Sequence, residues 1–289
     1  MQMRLKRYIA AALMICITVG CLCGCNGEEI PESTPFQTET TSGQTETTAE
    51  QTEETTETTV PDTRSWAERT VAAFADYSGI PFASYPQSMI ELLEKNPETR
   101  TFVLEYPMEY DKTHTVDLSG YAESETVPLF MQWDKRWGYI PYGADVAGIT
   151  ACGPVCLSMV AYYLTKDENM SPDKMIAFAK ENGYCIPGNG SAWTLISQGA
   201  KKLGLNVKEL PLVETLVRKE LQAGNPVICV VGPGVFTTTG HYIVLTGYED
   251  GGYRVNDPNS RERSARLWKF SEFKNQIRNL WAISPGNDA

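Results

Sequence analysis

Histidine is scarce in this sequence, two residues among 289, and that scarcity excludes a metal centre built from clustered imidazoles. It also shortens the search for a general base to His114 and His241. Cysteine is sparse as well. Beyond the amino-terminal segment only Cys152, Cys156, Cys185 and Cys229 occur, too few for a disulfide scaffold in a domain long enough to bury a core without staples. Lysine and arginine are missing altogether from residues 26–62, and with a formal net charge of −11 the balance argues against nucleic acid as a partner. Long apolar runs are missing except for Tyr8 to Val19, which is too short and too early for an ordinary spanning helix. Nothing in the chain calls for a cofactor or a metal.

What is present begins with Arg4, Lys6 and Arg7 ahead of that apolar run, the layout of a secretory signal over residues 1–24. The run ends in Leu22-Cys23-Gly24-Cys25, which resembles a bacterial lipobox and makes Cys25 the expected lipidated residue. The competing phase, Thr18-Val19-Gly20-Cys21, has threonine where an aliphatic residue is usual. Residues 25–62 then change character, with nine glutamates, one aspartate and repeated Thr-Thr-Glu-like units. Such a segment cannot bury a core, and self-repulsion keeps it extended. Fully stretched, it reaches on the order of 120 Å. The expected location is therefore the cell surface, lipid-anchored to the outer face of a bacterial cytoplasmic membrane, with the lipid as the only membrane contact.

Residues 63–120 read as a helical lead-in. Trp66, Val71 and Phe74, then Met89, Leu92 and Leu93, then Phe102, Val103 and Tyr106 mark three amphipathic segments punctuated by prolines. His114 sits in the polar stretch Lys112-Thr113-His114-Thr115 and reads as a solvated loop residue. The main domain, 121–289, places helices at about 172–182, 191–203 and 213–223, the second capped by Ser191 and the third ending at Gly224. Strands follow at 226–231, 241–248 and 252–257, then a helix at about 271–278 and a strand at 280–284. Helices first and an antiparallel sheet afterwards indicate an α+β domain.

The stretch Thr150-Ala151-Cys152-Gly153-Pro154 stands out. Proline is tolerated at the first helical position, and Val155 to Leu164 reads as a largely buried helix. Cys152 then sits at the helix mouth, where unpaired N–H groups and the helix dipole favour a thiolate. The alternative is a buried structural cysteine, the reading that suits Cys156 and Cys229 in their apolar runs. His241, beside Gly240, opens the strand His241 to Tyr248, a rigid place for a base with room for substrate. After it comes Asn256-Asp257-Pro258. A four-residue hairpin loop would put Asp257 opposite Val244, on the wrong face. A three-residue loop, Glu249-Asp250-Gly251, or an equivalent bulge, puts Asp257 opposite Ile243, on His241's face and about 7 Å away diagonally. The three-residue turn, or an equivalent bulge, is therefore expected.

Gln132 ahead of Ala151-Cys152-Gly153-Pro154, then Gly240-His241, then Asn256-Asp257-Pro258, resembles the papain-like cysteine peptidases that process bacteriocin leaders (family C-thirty-nine), particularly their stand-alone secreted relatives. The resemblance covers about residues 126–284. It implies a papain-like α+β fold, with Cys152 as nucleophile, His241 as base and acid, Asp257 as orienter and Gln132 as oxyanion donor. The expected substrate is a peptide or, from the surface location alone, a cell-wall peptide, and the protein is expected to be a monomer. There is no transporter domain to deliver a leader peptide, so the substrates of transporter-linked members transfer poorly. Trp133, Trp137 and Trp193 are placed either to line the substrate cleft or to pack as core and rim, and the run Gly232 to Gly240 either gates the cleft or simply turns the chain. Cleavage of peptidoglycan stem peptides or acyl transfer on the same residues is an alternative activity. A binding or adhesion module that keeps the fold without turnover is the alternative from another class.

Overall fold

The computed structural model describes residues 62–286, so the signal segment, Cys25 and nearly all of the acidic tether lie outside the described residues. The lead-in forms three helices, α1 (Trp66–Ser78), α2 (Gln87–Lys95) and α3 (Arg100–Glu109). The first begins at a capping box. The Ser65 hydroxyl accepts from the Glu68 N–H at 3.2 Å while the Glu68 carboxylate accepts from the Ser65 N–H at 2.8 Å, which satisfies two end donors at once. Gly79, at φ 69°, closes it in the left-handed conformation. Helix α2 turns Met89, Ile90, Leu92 and Leu93 inward, each worth about 1.5–3 kcal/mol when fully buried. These side chains form one core with Phe102 and Val103 and with Met131, Trp133, Tyr139 and Val146 from beyond the lead-in.

Phe102 fixes the seam between the two. A Cβ added at Gly148 would lie 2.5 Å from its ring, so only glycine lets the chain before Cys152 approach the lead-in this closely.

Helix α4 (Cys152–Thr165) runs through the main core. It starts two residues earlier than expected, with Cys152 rather than Pro154 as the first helical residue. Proline is still accommodated, because a first-turn N–H has no intrahelical partner to lose. Helices α5 (Pro172–Glu181) and α6 (Glu214–Gln222) match two predicted segments closely. The third departs from its prediction. Ser191 lies in a two-residue strand, Gly190–Ser191, and the helical stretch begins only at Leu195, as a π-helical turn over Leu195–Gly199 continued by Ala200–Lys202. The Ser191 hydroxyl bonds the Tyr142 hydroxyl at 2.6 Å instead of capping a helix.

The sheet has six antiparallel strands: β1 (Asn206–Glu209), β2 (Val227–Val231), β3 (His241–Glu249), β4 (Gly252–Asn256), β5 (Leu267–Trp268) and β6 (Ile277–Ser284). They lie side by side in the order β1-β6-β2-β3-β4-β5. Side-chain alternation divides two cores between them. Tyr242 and Val244 of β3 join the α4 core, while Ile243 and Leu245 join a second core with Val217 and Leu221 of α6. The result is the expected α+β arrangement of helices packed on an antiparallel sheet.

The β3–β4 connection reaches the expected one-residue offset through the bulge rather than through a three-residue turn. Tyr248 pairs with Tyr253 and Glu249 with Gly252, so the loop is the two residues Asp250 and Gly251, both at positive φ (50° and 76°), as a type I′ turn requires. The one-residue offset occurs further back. Pairing slips between Leu245 and Gly247, leaving Thr246 as an extra residue, and then resumes with Leu245 opposite Val255 and Val244 opposite Asn256. Continued one step, that register sets Asp257 opposite Ile243, on the face of His241.

Candidate active site

His241 begins β3 and is buried, and its Nε2 lies 2.8 Å from Asp257 Oδ1. Because Nε2 faces the carboxylate, Nδ1 is the ring nitrogen left for Cys152, which lies close enough to the imidazole to favour its protonated form. Burial alone would push the His241 pKa down. The Asp257 charge, the hydrogen bond to it, and the contact with Cys152 together outweigh burial and raise it to about 10. His241 is therefore an imidazolium at neutral pH.

Asp257 is fully buried and its carboxylate is saturated. Oδ1 accepts from His241 and from the Asn259 N–H at 2.8 Å, and Oδ2 accepts from Arg263 Nε at 2.5 Å. Burial by itself would raise its pKa, but the neighbouring His241 and Arg263 charges reverse that and hold the acid below the ordinary range. A buried carboxylate without such partners would be costly. The Asn259 contact is an Asx turn across Asp257-Pro258-Asn259, a local signal present in the sequence. Arg263 has no such signal. It reaches Asp257 because residues 261–264 form a short helical turn, α7 (Arg261–Ser264).

Cys152 is half-buried at the start of α4. Gly153 beside it packs so closely on Ser191 that an added Cβ would lie 2.9 Å from both the Ser191 Cβ and Oγ. Gln132 is buried nearby, and its Nε2 donates to Gly148 O at 2.8 Å and Ile149 O at 3.2 Å, while its Oε1 is buried without a hydrogen-bond partner. The Gln132 N–H donates to Pro258 O at 2.7 Å, which ties this amide to the Asp257 loop.

A cleft of about 420 Å³ opens over these groups. Cys152, His241, Gln132 and the 234–240 loop line it, Gly240 included, and so does one flank of α2 through Ser88, Glu91, Leu92 and Lys95. The tryptophans are elsewhere. Trp133 is core, its Nε1 donating to Asn259 O at 3.3 Å and its ring covered by Arg261. Trp137 is fully buried, and Trp193 is 46% exposed against Trp281, away from the cleft lining. His114 is half-buried near Glu109, also outside the cleft. Cys156 and Cys229 are buried free thiols, pushed upward in pKa by burial. Among the described residues no group of His, Cys, Asp and Glu is arranged to hold a metal ion.

A family model described as the Peptidase_C39 like family matches residues 124–286. Among solved structures, the peptidase domain of Streptococcus ComA, a bi-functional ABC transporter involved in a quorum sensing pathway, is 22% identical over 55% of this chain and 98% of its own, with a TM-score of 0.39. A C39-like peptidase from Bacillus anthracis is 16% identical over 55% and 95%, with a TM-score of 0.35. A double glycine motif protease from an AMS/PCAT transporter, in complex with the leader peptide, is 17% identical over 56% and 93%, with a TM-score of 0.35. No curated protein matches the chain.

Proposed function

The chain belongs to the Peptidase_C39 like family of cysteine peptidases, and from the site just described we propose that it is a surface-anchored enzyme that hydrolyses peptide bonds through an acyl-enzyme on Cys152. The observation that carries this reading is the placement of the imidazole: His241 is hydrogen-bonded on one side to a buried, arginine-held carboxylate and lines one cleft with the half-buried Cys152. A cysteine beside a protonated histidine is set up to attack as the sulfur anion.

In the reacting form the Cys152 sulfur, nucleophilic only as the anion, attacks the scissile carbonyl carbon beside the His241 imidazolium. The carbonyl oxygen becomes an oxyanion, which the Cys152 N–H and the Gln132 side-chain amide stabilise. At rest Gln132 Nε2 donates to Gly148 O at 2.8 Å and to Ile149 O at 3.2 Å, and in this reading the amide turns from the longer bond toward the new charge. His241 Nδ1–H protonates the departing amine as the C–N bond breaks, leaving a thioester. Water then attacks the thioester, its proton passes to His241, and the acid departs as the C–S bond breaks. Asp257 holds the ring orientation and the Nε2–H tautomer throughout.

The partner in this reading is a peptide or cell-wall peptide, met by a monomer tethered through lipid on Cys25 at the outer face of the membrane. A thiol-directed electrophile tests the nucleophile. Labelling is expected at Cys152 and lost in Cys152→Ala, and full labelling of that variant at another cysteine would sink the assignment.

A further inference from the structure

The residues that hold Asp257 are themselves held from outside the region that the family model matches, which begins at residue 124. Glu98, half-buried in the turn between α2 and α3, accepts from the Ser260 hydroxyl at 2.6 Å and from the Arg261 N–H at 2.8 Å, with the Glu262 N–H at 3.4 Å. Two residues earlier, Asn96 Nδ2 donates to Asn259 O at 2.5 Å. The segment they grip is a closed loop around Asp257. The Arg263 N–H donates to Ser260 Oγ at 3.1 Å, the Asp257 N–H to Ser264 Oγ at 2.9 Å, and Arg263 Nε to the Asp257 carboxylate. Ser260 is thus shared, giving its proton to Glu98 and accepting from Arg263. Glu98 itself touches neither Cys152 nor His241 and does not line the cleft.

We propose that Glu98 is a positioning residue for the hydrolytic site: its carboxylate fixes the 260–263 turn so that Arg263 keeps Asp257 on His241. The proposal rests on the reading of Cys152, His241 and Asp257 as the reacting set. It makes the lead-in a working part of the enzyme, since the same 87–98 segment also supplies the α2 flank of the cleft. Two neutral oxygens would serve the Ser260 and Arg261 donors less well than a carboxylate, because hydrogen bonds to an ionised acceptor are the stronger kind.

The test needs no substrate. The rate at which iodoacetamide alkylates Cys152 in the full chain is followed by peptide mass spectrometry near pH 6, where the imidazolium governs reactivity. Glu98→Ala is expected to slow it about ten-fold, as Arg263→Ala does, and the double variant to be no slower than the slower single, because both act through one group. If Glu98→Ala melts below the assay temperature, Glu98→Gln replaces it, with a loss of about three-fold expected because one oxygen acceptor survives. A wild-type alkylation rate in the folded Glu98 variant, or losses that multiply in the double variant, overturns the proposal, since a merely structural role moves the melting temperature and not this rate. Failure of the underlying reading shows separately, as a wild-type rate unaffected by His241→Gln, and it would take this proposal with it.

Discussion

His241 and Asp257 stand sixteen residues apart in sequence and meet across a 2.8 Å hydrogen bond because one extra residue, Thr246, is accommodated in β3. With regular pairing from the Asp250-Gly251 turn, Asp257 would face the opposite side of the sheet. The bulge corrects the alternation by one and brings the carboxylate to the imidazole.

That pairing sets the titration of His241. With two histidines in the chain, their ring resonances are readily separated by NMR. His241 is expected to stay protonated through neutral pH and to titrate near about 10. In Asp257→Asn, which removes both the charge and the strongest hydrogen bond, the midpoint falls by several units toward or below the ordinary imidazole range of about 6.5. An unchanged midpoint would detach Asp257 from the role given to it.

The same shift links stability to pH. A histidine raised in the folded state stabilises it fully below its unfolded pKa of about 6.5, and this contribution is lost as pH rises through about 10. Asp257, lowered in the folded state, stabilises above its unfolded value of about 3.9 and loses the effect as acid protonates it. The melting-temperature advantage of the wild type over Asp257→Asn is therefore greatest between about pH 4 and 6.5 and shrinks on either side. Thermal melts across that range check it.

How much of this was legible in the sequence follows from how local each signal is. Scarcity singled out His241, and Pro154 ahead of an apolar run marked the Cys152 helix. Runs of branched residues marked β2 and β3, and the segment following the Asp250-Gly251 turn marked β4. Strand β1 escaped because Asn206-Val207-Lys208-Glu209 is an exposed edge with one apolar residue and no alternation to read. The one-residue offset between His241 and Asp257 is legible from the spacing, but a three-residue turn after Tyr248 and a bulge at Thr246 give the same offset, and sequence alone does not say which supplies it. Glu98, Arg263 and the α2 flank of the cleft were invisible for another reason. The partners of Glu98 lie up to 164 residues away, Arg263 lies six residues from Asp257 but carries no turn or cap signal that points to it, and polar surface residues carry no periodicity.

Gly153 offers a stability test. Gly153→Ala would place a methyl 2.9 Å from Ser191, and crowding of that kind typically costs about 1–3 kcal/mol. Denaturant titration should show that loss, with Ser191→Gly in the same chain restoring most of it. Displacing the start of α4 should also slow the reaction of Cys152.

Gln132→Ala is expected to lower kcat by about 10²–10³-fold, the usual cost of one oxyanion donor, with KM little changed. A fall in KM-dependent binding alone would place Gln132 in substrate recognition instead.

Cys25 is tested in the cell, by labelling with a palmitate analogue. Incorporation is expected in the wild type and lost in Cys25→Ala, which should be released from the membrane. Labelling that persists would move the lipid to Cys21.

The central claim is peptide hydrolysis by Cys152. Its most direct measurement is turnover of a peptide library and of purified cell-wall fragments by the wild type and by Cys152→Ala. The account predicts cleavage at peptide bonds by the wild type and none above background by the variant; undiminished cleavage by Cys152→Ala would contradict it.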